Sequence, residues 1–376
     1  MSAISSLCSE KRALLRRRTS SSRRSVKPVL VIHGGAGTFT KSASTPEQRI
    51  EYRHGLEKAL KAGQAVLADG GEAMDAVVAA VSALEDNPLF NAGKGAVFNI
   101  AGENELETSL MLSQPPFSHP DIPESRRGFA LTLLRRTKNP SKLVRAMYLA
   151  PQAAPHAFMS DAAAEAIGQQ FGDIELVDPS YFWTQKRWAE HQRGLGLPED
   201  DGDPSSFEGL PQGTVGAVAL DERGCIAALT STGGKTNKLV GRIGDTPQFG
   251  AGFWAERWSP HGGALRRLWH HVRRKPLAVG VSGTGDGDYF IRLNTASTLA
   301  RRVRYLGESI AKAGRSVVEE LRRDQGTGGL IALDDRGNVA FPMNCAGMYR
   351  GAVHVADGKL MTAIFDDDEL SELPRD

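Results

Sequence analysis

Apolar and polar residues follow two regimes along this chain, which change near residue 213. Before that point, apolar residues recur mostly at helical spacing. Residues 28–32 are an exception, a short apolar run that predicts a buried strand. It is closed by the glycine-rich turn His33-Gly34-Gly35-Ala36-Gly37. Residues 46–68 carry a helical period ended by Gly70-Gly71, and residues 72–85 predict a well-buried helix stopped by Asp86-Asn87-Pro88. An irregular connection at 114–127 precedes a helical stretch over 140–171, with a break near 151–155, and a short helix at 183–192. Residues 194–212 have no period and many Gly, Pro, Asp and Ser residues, which predicts a flexible, exposed linker.

Beyond the linker the pattern becomes short apolar strands. Residues 215–220 and 225–230 flank Asp221-Glu222-Arg223-Gly224, a hairpin signature. A second copy places residues 329–333 and 338–341 around Asp334-Asp335-Arg336-Gly337. Strands this apolar belong in sheets covered on both faces. Helices before and between the hairpins supply the covers, so the expected fold is α/β, a helix–sheet–sheet–helix (αββα) sandwich. Residues 281–288 form another glycine-rich turn before a helix over 289–306.

Composition narrows the choices. The chain has 376 residues, 40% of them hydrophobic, and a net charge of +2, which implies no strongly charged partner. The aromatic, basic stretch 256–275 therefore reads as an exposed insertion rather than a nucleic-acid surface. Cys8, Cys225 and Cys345 give neither a disulfide framework nor a metal spacing and suit a reducing compartment. No apolar run approaches the ~20 residues of a membrane helix. The first 26 residues hold seven cationic side chains against Glu10 and many serines. They predict a disordered leader in a cytoplasmic protein or, alternatively, a mitochondrial transit peptide. The acidic run 366–369 predicts a solvated tail.

The candidate chemistry centres on Gly213-Thr214 at the linker's end. A threonine hydroxyl needs a base to become a nucleophile. An α-amino group titrates near ~7.7–8.0 and is usable at neutral pH. A threonine made N-terminal by cleavage after Gly213 carries both groups. The competing reading is that Thr214 merely opens a strand. His33 reads as a structural histidine before a catalyst. Arg242 and Asp245, three residues apart in a glycine-rich loop, suit the carboxylate and ammonium of an amino acid, or else form a surface ion pair. Thr284 and the glycine amides beside it suit an oxyanion. The loop after the second helix exposes carbonyls suited to a monovalent cation.

Together these motifs resemble the plant-type L-asparaginases and isoaspartyl peptidases, threonine members of the N-terminal nucleophile hydrolases. The matching pieces are VIHGGAG at 31–37, PLFNAGKGAVF at 88–98, GTVGAVALD at 213–221, TSTGGKTNKLVGRIGDTP at 230–247, GTGDGDYFIR at 283–292 and GGLIALDDRGNVAFP at 328–342. The resemblance implies self-cleavage between Gly213 and Thr214, giving an α subunit (27–213) and a β subunit (214–376) of one sandwich domain that pairs as a homodimer of αβ units. It implies Thr214 as nucleophile with Thr232 tuning it, Arg242 on the substrate α-carboxylate and Asp245 on its α-amine. Thr284 and Gly285 would line the oxyanion and side-chain site, with Asn91 nearby. Leu84, Glu85, Asn87, Phe90, Ala92 and Lys94 would hold sodium, mostly through carbonyls, with no organic cofactor. The expected substrates are L-asparagine and β-aspartyl dipeptides. A glycosylasparaginase-like hydrolase and an inactive binding module are the alternatives. Departures from the family are Glu105-Leu106-Glu107-Thr108-Ser109-Leu110-Met111-Leu112 after the cation loop, the 256–275 insertion, and Asp286.

Overall fold

The computed structural model describes residues 26–37, 41–197, 213–259 and 276–373. The leader, residues 38–40, most of the linker, residues 260–275 of the insertion and the last three residues lie outside the described residues. The twelve described strands are β1 (Val29–Gly37), β2 (Leu106–Leu112), β3 (Gly128–Leu134), β4 (Phe158–Ser160), β5 (Val215–Leu220), β6 (Ile226–Thr232), β7 (Phe253–Arg257), β8 (Ala278–Gly285), β9 (Gly328–Asp334), β10 (Val339–Ala340), β11 (Gly347–His354) and β12 (Met361–Phe365). They form an eight-stranded sheet ordered β12-β11-β1-β5-β6-β2-β3-β4 and a four-stranded sheet ordered β10-β9-β8-β7. Every pairing is antiparallel except that of β3 with β4.

The layering follows from strand alternation, since successive side chains point to opposite faces. Leu30 and Ile32 of β1, with Ala217 and Ala219 of β5, face one core. There they meet Leu56 and Leu60 of α1 (Pro46–Ala68) and Val77 and Val81 of α2 (Ala73–Glu85). Their neighbours Val29, Val31, Val218 and Leu220 face the second sheet, against Phe253, Ile331 and Leu333. The outer face of that sheet, Val279, Val281 and Leu330, packs on Leu299 and Val317. Of these, Leu299 belongs to α7 (Thr295–Arg301) and Val317 to α8 (Ile310–Arg323). Both faces of β1 and β5 are apolar because both are buried, and the four layers are αββα, as expected.

Several local expectations change. Residues 33–37 continue β1 instead of turning; a bulge between His33 and Gly35 absorbs the glycines. The stretch 140–171 is two helices, α3 (Pro140–Leu149) and α4 (Asp161–Gly168), with the short strand β4 between them. The helix at 183–192 is α5 (Gln185–Gly194), capped by the Thr184 side chain. The stretch 289–306 divides into α6 (Gly287–Leu293) and α7 at Asn294, whose φ is +51°, and ends in a π-turn at Arg302–Leu306. Glu256 and Arg257 belong to β7 and Trp258 is buried, so the start of the stretch expected to be an exposed insertion is instead part of the fold, and 260–275 lie outside the described residues. The acidic run is tied down: Asp368 accepts from the Ile364 and Phe365 amides, Lys41 pairs with Asp367, and Leu373 is buried. Among the described residues no helix is long and apolar enough to cross a membrane.

Candidate active site

Gly213 and Thr214 enter β5 at the centre of the large sheet. A Cβ added to Gly213 would lie 2.6 Å from the Gly35 Cα and 2.7 Å from the Thr284 Oγ1, so any larger residue is excluded. The same Thr284 hydroxyl accepts the Ala36 amide at 3.1 Å. Thr214 is buried, its Oγ1 3.5 Å from the Oγ1 of Thr246 and its carbonyl 2.9 Å from His33 Nδ1. The hairpin pairs Val215 with Ser231. That register sets Thr214 and Thr232, one step further on each strand, at the same end of the sheet.

Thr232 is buried, and its hydroxyl accepts the Gly234 amide at 2.9 Å. Asn91 braces the same turn: its Nδ2 donates to the Gly234 carbonyl at 2.7 Å and its Oδ1 accepts the Val97 amide at 3.0 Å. On β8, Thr284 is fully buried. Gly285 follows with φ +144° and packs so closely on Gly328 and Thr327 that only glycine fits.

The loop carrying Arg242 and Asp245 lies over β2. Arg242 does not pair with Asp245; it donates from Nη2 to Asp288 Oδ1 at 2.8 Å. Asp245 is buried, its Oδ2 has no hydrogen-bond partner, and burial, reinforced by the charge of Glu107, pushes its carboxyl up to about 7. Glu107 of β2 is fully buried; its Oε1 accepts the Gly244 amide at 2.9 Å and the Thr132 hydroxyl at 3.2 Å, while its Oε2 has no partner. Burial raises the Glu107 carboxyl too, and Lys238 and Arg242 oppose that rise. The result is a cluster of surplus buried acceptors beside one partly exposed guanidinium. Such groups have the chemistry to take an ammonium and a carboxylate.

The loop over 84–94, expected to hold a cation, is a compact run of backbone oxygens. The carbonyls of Leu84, Asn87, Phe90 and Ala92 accept amides of the loop itself, Leu84 from both Asp86 and Asn87. The Glu85 carbonyl lies against Gly93, and those of Pro88 and Phe90 converge where a Cβ on Gly95 would stand. This neutral, all-oxygen set suits a hard monovalent cation. Two side chains point elsewhere. The Glu85 carboxylate is spent on Ser141 and Ser231, and the Lys94 ammonium rests on the carbonyl and ring of Tyr181. Among the described residues no group of three or more His, Cys, Asp or Glu side chains could hold a metal.

The structure thus gathers Thr214, Thr232, Asn91, Thr284 and Gly213 around one strand end, and sets Arg242 and Asp245 on one loop. It adds residues not assigned from sequence: Thr246 on the Thr214 hydroxyl, His33 on its carbonyl, Glu107 under the 241–245 loop and Asp288 on Arg242. Glu107 carries no local signal of this role, standing in the polar run Glu107-Thr108-Ser109.

Four layers, with a threonine heading a central strand, make the N-terminal nucleophile hydrolase sandwich. Residues 26–260 and 276–362 match the family described as asparaginase, so the match leaves out 261–275 within the insertion. The chain is 38% identical to the isoaspartyl peptidase of Escherichia coli over 336 residues, 88% of this chain and 94% of the relative. It is 32% identical to the human isoaspartyl peptidase/L-asparaginase over 355 residues, 93% of this chain and all of that protein. A probable isoaspartyl peptidase/L-asparaginase 2 of Arabidopsis thaliana is 31% identical over 359 residues, covering 90% of this chain and 98% of the relative. The chain belongs to the asparaginase family.

Proposed function

We propose that this protein is a self-processing threonine amidohydrolase that hydrolyses L-asparagine to L-aspartate and ammonia and removes β-aspartyl residues from peptides. In processing, Thr214 Oγ attacks the Gly213 carbonyl, the acyl chain moves from nitrogen to oxygen, and water cleaves the ester. The freed α-amine of Thr214 then serves as base for its own hydroxyl. That hydroxyl attacks the substrate's side-chain amide, ammonia or a peptide amine leaves, and water releases aspartate. Arg242 grips the α-carboxylate and Asp245 the α-ammonium. Thr284 and Gly285 line the oxyanion and side-chain site, Thr232 tunes the nucleophile, and Asn91 holds the adjoining turn.

The observation that carries this reading is the seat of Gly213: a glycine wedged on Gly35 and the Thr284 hydroxyl, with Thr214 buried behind it. A strand opener needs no such fit. A denaturing gel and N-terminal sequencing of the smaller fragment test it. Wild type should give two fragments, the second starting at Thr214, while Thr214→Ala should stay one chain with no detectable activity on L-asparagine or a β-aspartyl dipeptide. A different start, or an active Thr214→Ala, sinks the assignment.

The loop carbonyls of Leu84, Glu85, Asn87, Phe90, Ala92 and Lys94 would hold a sodium ion that stiffens the segment bearing Asn91. Exhaustive dialysis into a large organic cation should lower the melting temperature, and sodium should restore it; an unchanged melting curve counts against the site. The cleaved units are proposed to act as homodimers. The free, buried thiols of Cys225 and Cys345 suit a reducing, cytoplasmic setting.

A further inference from the structure

The histidine of the first glycine-rich motif touches the nucleophile residue itself. His33 lies on β1 directly opposite Gly216 of β5 and has no solvent exposure. Its Nδ1 is 2.9 Å from the Thr214 carbonyl oxygen. A carbonyl only accepts, so Nδ1 carries the hydrogen. Nε2 of the neutral ring is then an acceptor, and the Ser282 hydroxyl 2.8 Å away donates to it. With that hydrogen spent, the Ser282 oxygen takes its own bond from the Thr230 hydroxyl at 2.9 Å. Every proton in the chain Thr230–Ser282–His33–Thr214 therefore has one direction. Three strands, β6, β8 and β1, end on the residue that opens a fourth.

We infer that His33 is a positioning residue, whose neutral Nδ1–H fixes the carbonyl of Thr214 and thereby the direction in which the threonine presents its amine and hydroxyl. The inference rests on Thr214 being the nucleophile. Three further features support it. A Cβ on Gly216 would stand 2.5 Å from His33 Nε2 and would collide with Ser282, so the residue opposite leaves room for this ring and its partner. The β1 bulge follows His33 at once and lays Gly35 against Gly213. One irregular tripeptide thus holds both sides of the Gly213–Thr214 bond. Burial also pushes the ring's pKa down to about 3, so the donor stays neutral under any ordinary assay condition. A histidine that only filled the core would affect folding stability but would not separate kcat from KM.

The test compares wild type, Thr214→Ala, His33→Leu, His33→Asn and Ser282→Ala for processing rate on a gel, kcat and KM on L-asparagine, and melting temperature. His33→Leu fills the space without a donor. Processing and kcat should fall roughly 10- to 100-fold with KM nearly unchanged, the scale expected when a reacting group is slightly misaimed. His33→Asn offers an N–H at about the position of Nδ1 and should recover most of the loss. Ser282→Ala frees the ring and should lower kcat several-fold without moving KM. His33→Leu with wild-type kcat and processing overturns the inference, as does equal damage in His33→Leu and His33→Asn at matched melting temperature. Should His33→Leu not fold, Ser282→Ala decides, and wild-type kcat in that variant overturns it. An active Thr214→Ala overturns both this inference and the nucleophile reading; an inactive one beside an unimpaired His33→Leu overturns this inference alone.

Discussion

The two hairpins of this molecule share a turn and little else. In the first, Asp221 Oδ1 accepts the amides of Arg223 and Cys225, both at 2.9 Å. In the second, Asp334 Oδ1 accepts those of Arg336 and Asn338, both at 3.0 Å. Gly224 and Gly337 both sit at φ +80°. The surroundings differ. β5 and β6 pair over six residues in the middle of the large sheet, whereas β10 pairs with β9 over two residues at an edge. The first hairpin opens on Gly213-Thr214 and runs on into the Arg242–Asp245 loop. The second opens on Gly328-Gly329, which back the Gly285 segment, and runs on into β11. Turn chemistry is local and repeats freely; a reactive site depends on what abuts the ends of the strands.

The sharpest way to break that asymmetry is to remove a charge that only the first hairpin's loop carries. Arg242→Ala should lose roughly 30- to several-thousand-fold in kcat/KM on L-asparagine, the usual result of leaving a buried charge partner unpaired. Self-cleavage should be unaffected, since the linker peptide presents no α-carboxylate. Arg242→Lys should recover only part, because an ammonium lacks the two-pronged grip. Wild-type efficiency in Arg242→Ala would reduce it to a surface charge.

A smaller effect follows from Asp245, whose carboxyl is raised to about 7, chiefly by burial. Only its ionised form, present above that pH, holds an ammonium. Competitive inhibition by L-aspartate should therefore weaken as pH falls through about 7, approaching tenfold per unit, as for any one-proton requirement. Asp245→Asn should bind weakly at all pH values. The linkage has the opposite sign. A carboxyl raised on folding binds its proton more tightly in the native state, so this group favours folding as pH falls from about 7 towards 4. Melting temperatures of wild type and Asp245→Asn across that window check this second sign, as the inhibition profile checks the first; a constant difference between the two melting temperatures would refute the shift.

The smallest effect compares the turns themselves. Asp221 also accepts the Ala73 amide at the head of α2 at 3.2 Å, whereas the second oxygen of Asp334 holds only Asn338 of its own turn. Asp221→Ala should cost about 2–3 kcal/mol and Asp334→Ala about 1 kcal/mol, since only the former releases a helix end as well as a turn. Urea unfolding in the uncleaved Thr214→Ala background measures both, and equal costs would mean that the tie to α2 contributes nothing.

What was legible in the sequence was local or strongly periodic. The Asp-x-x-Gly turns encode themselves, α1 announces its length, and the apolar strands demand covers on both faces. β2 was not legible: Glu107, Thr108 and Ser109 read as polar, yet all are buried, bonding to Gly244, the Thr230 carbonyl and the Thr246 carbonyl. Those partners come from distant parts of the chain. The glycines of 33–37 read as a turn because a bulge and a turn call on the same conformational freedom. Arg242 was visible as a cation in a suitable loop, but Asp288 lies 46 residues away and nothing local links the two. Thr246 lies inside the 230–247 motif with no local property to single it out; only its contact with the Thr214 hydroxyl does so.

The order of strands in the large sheet carries one more consequence. Residues 26–197 supply β1, β2, β3 and β4, and residues 213–373 supply β5, β6, β11 and β12. β1 has no neighbour from its own stretch; it is bonded to β11 on one side and β5 on the other. β2 is bonded across to β6. A chain severed between Gly213 and Thr214 would lose its continuity and keep its sheet. The pieces could part only by stripping three complete ladders of backbone hydrogen bonds, so their separation would be as slow as unfolding of the whole. The core between the small sheet and its helices lies wholly in the second piece, whereas the other two cores draw on both, so either piece expressed alone would leave those two open.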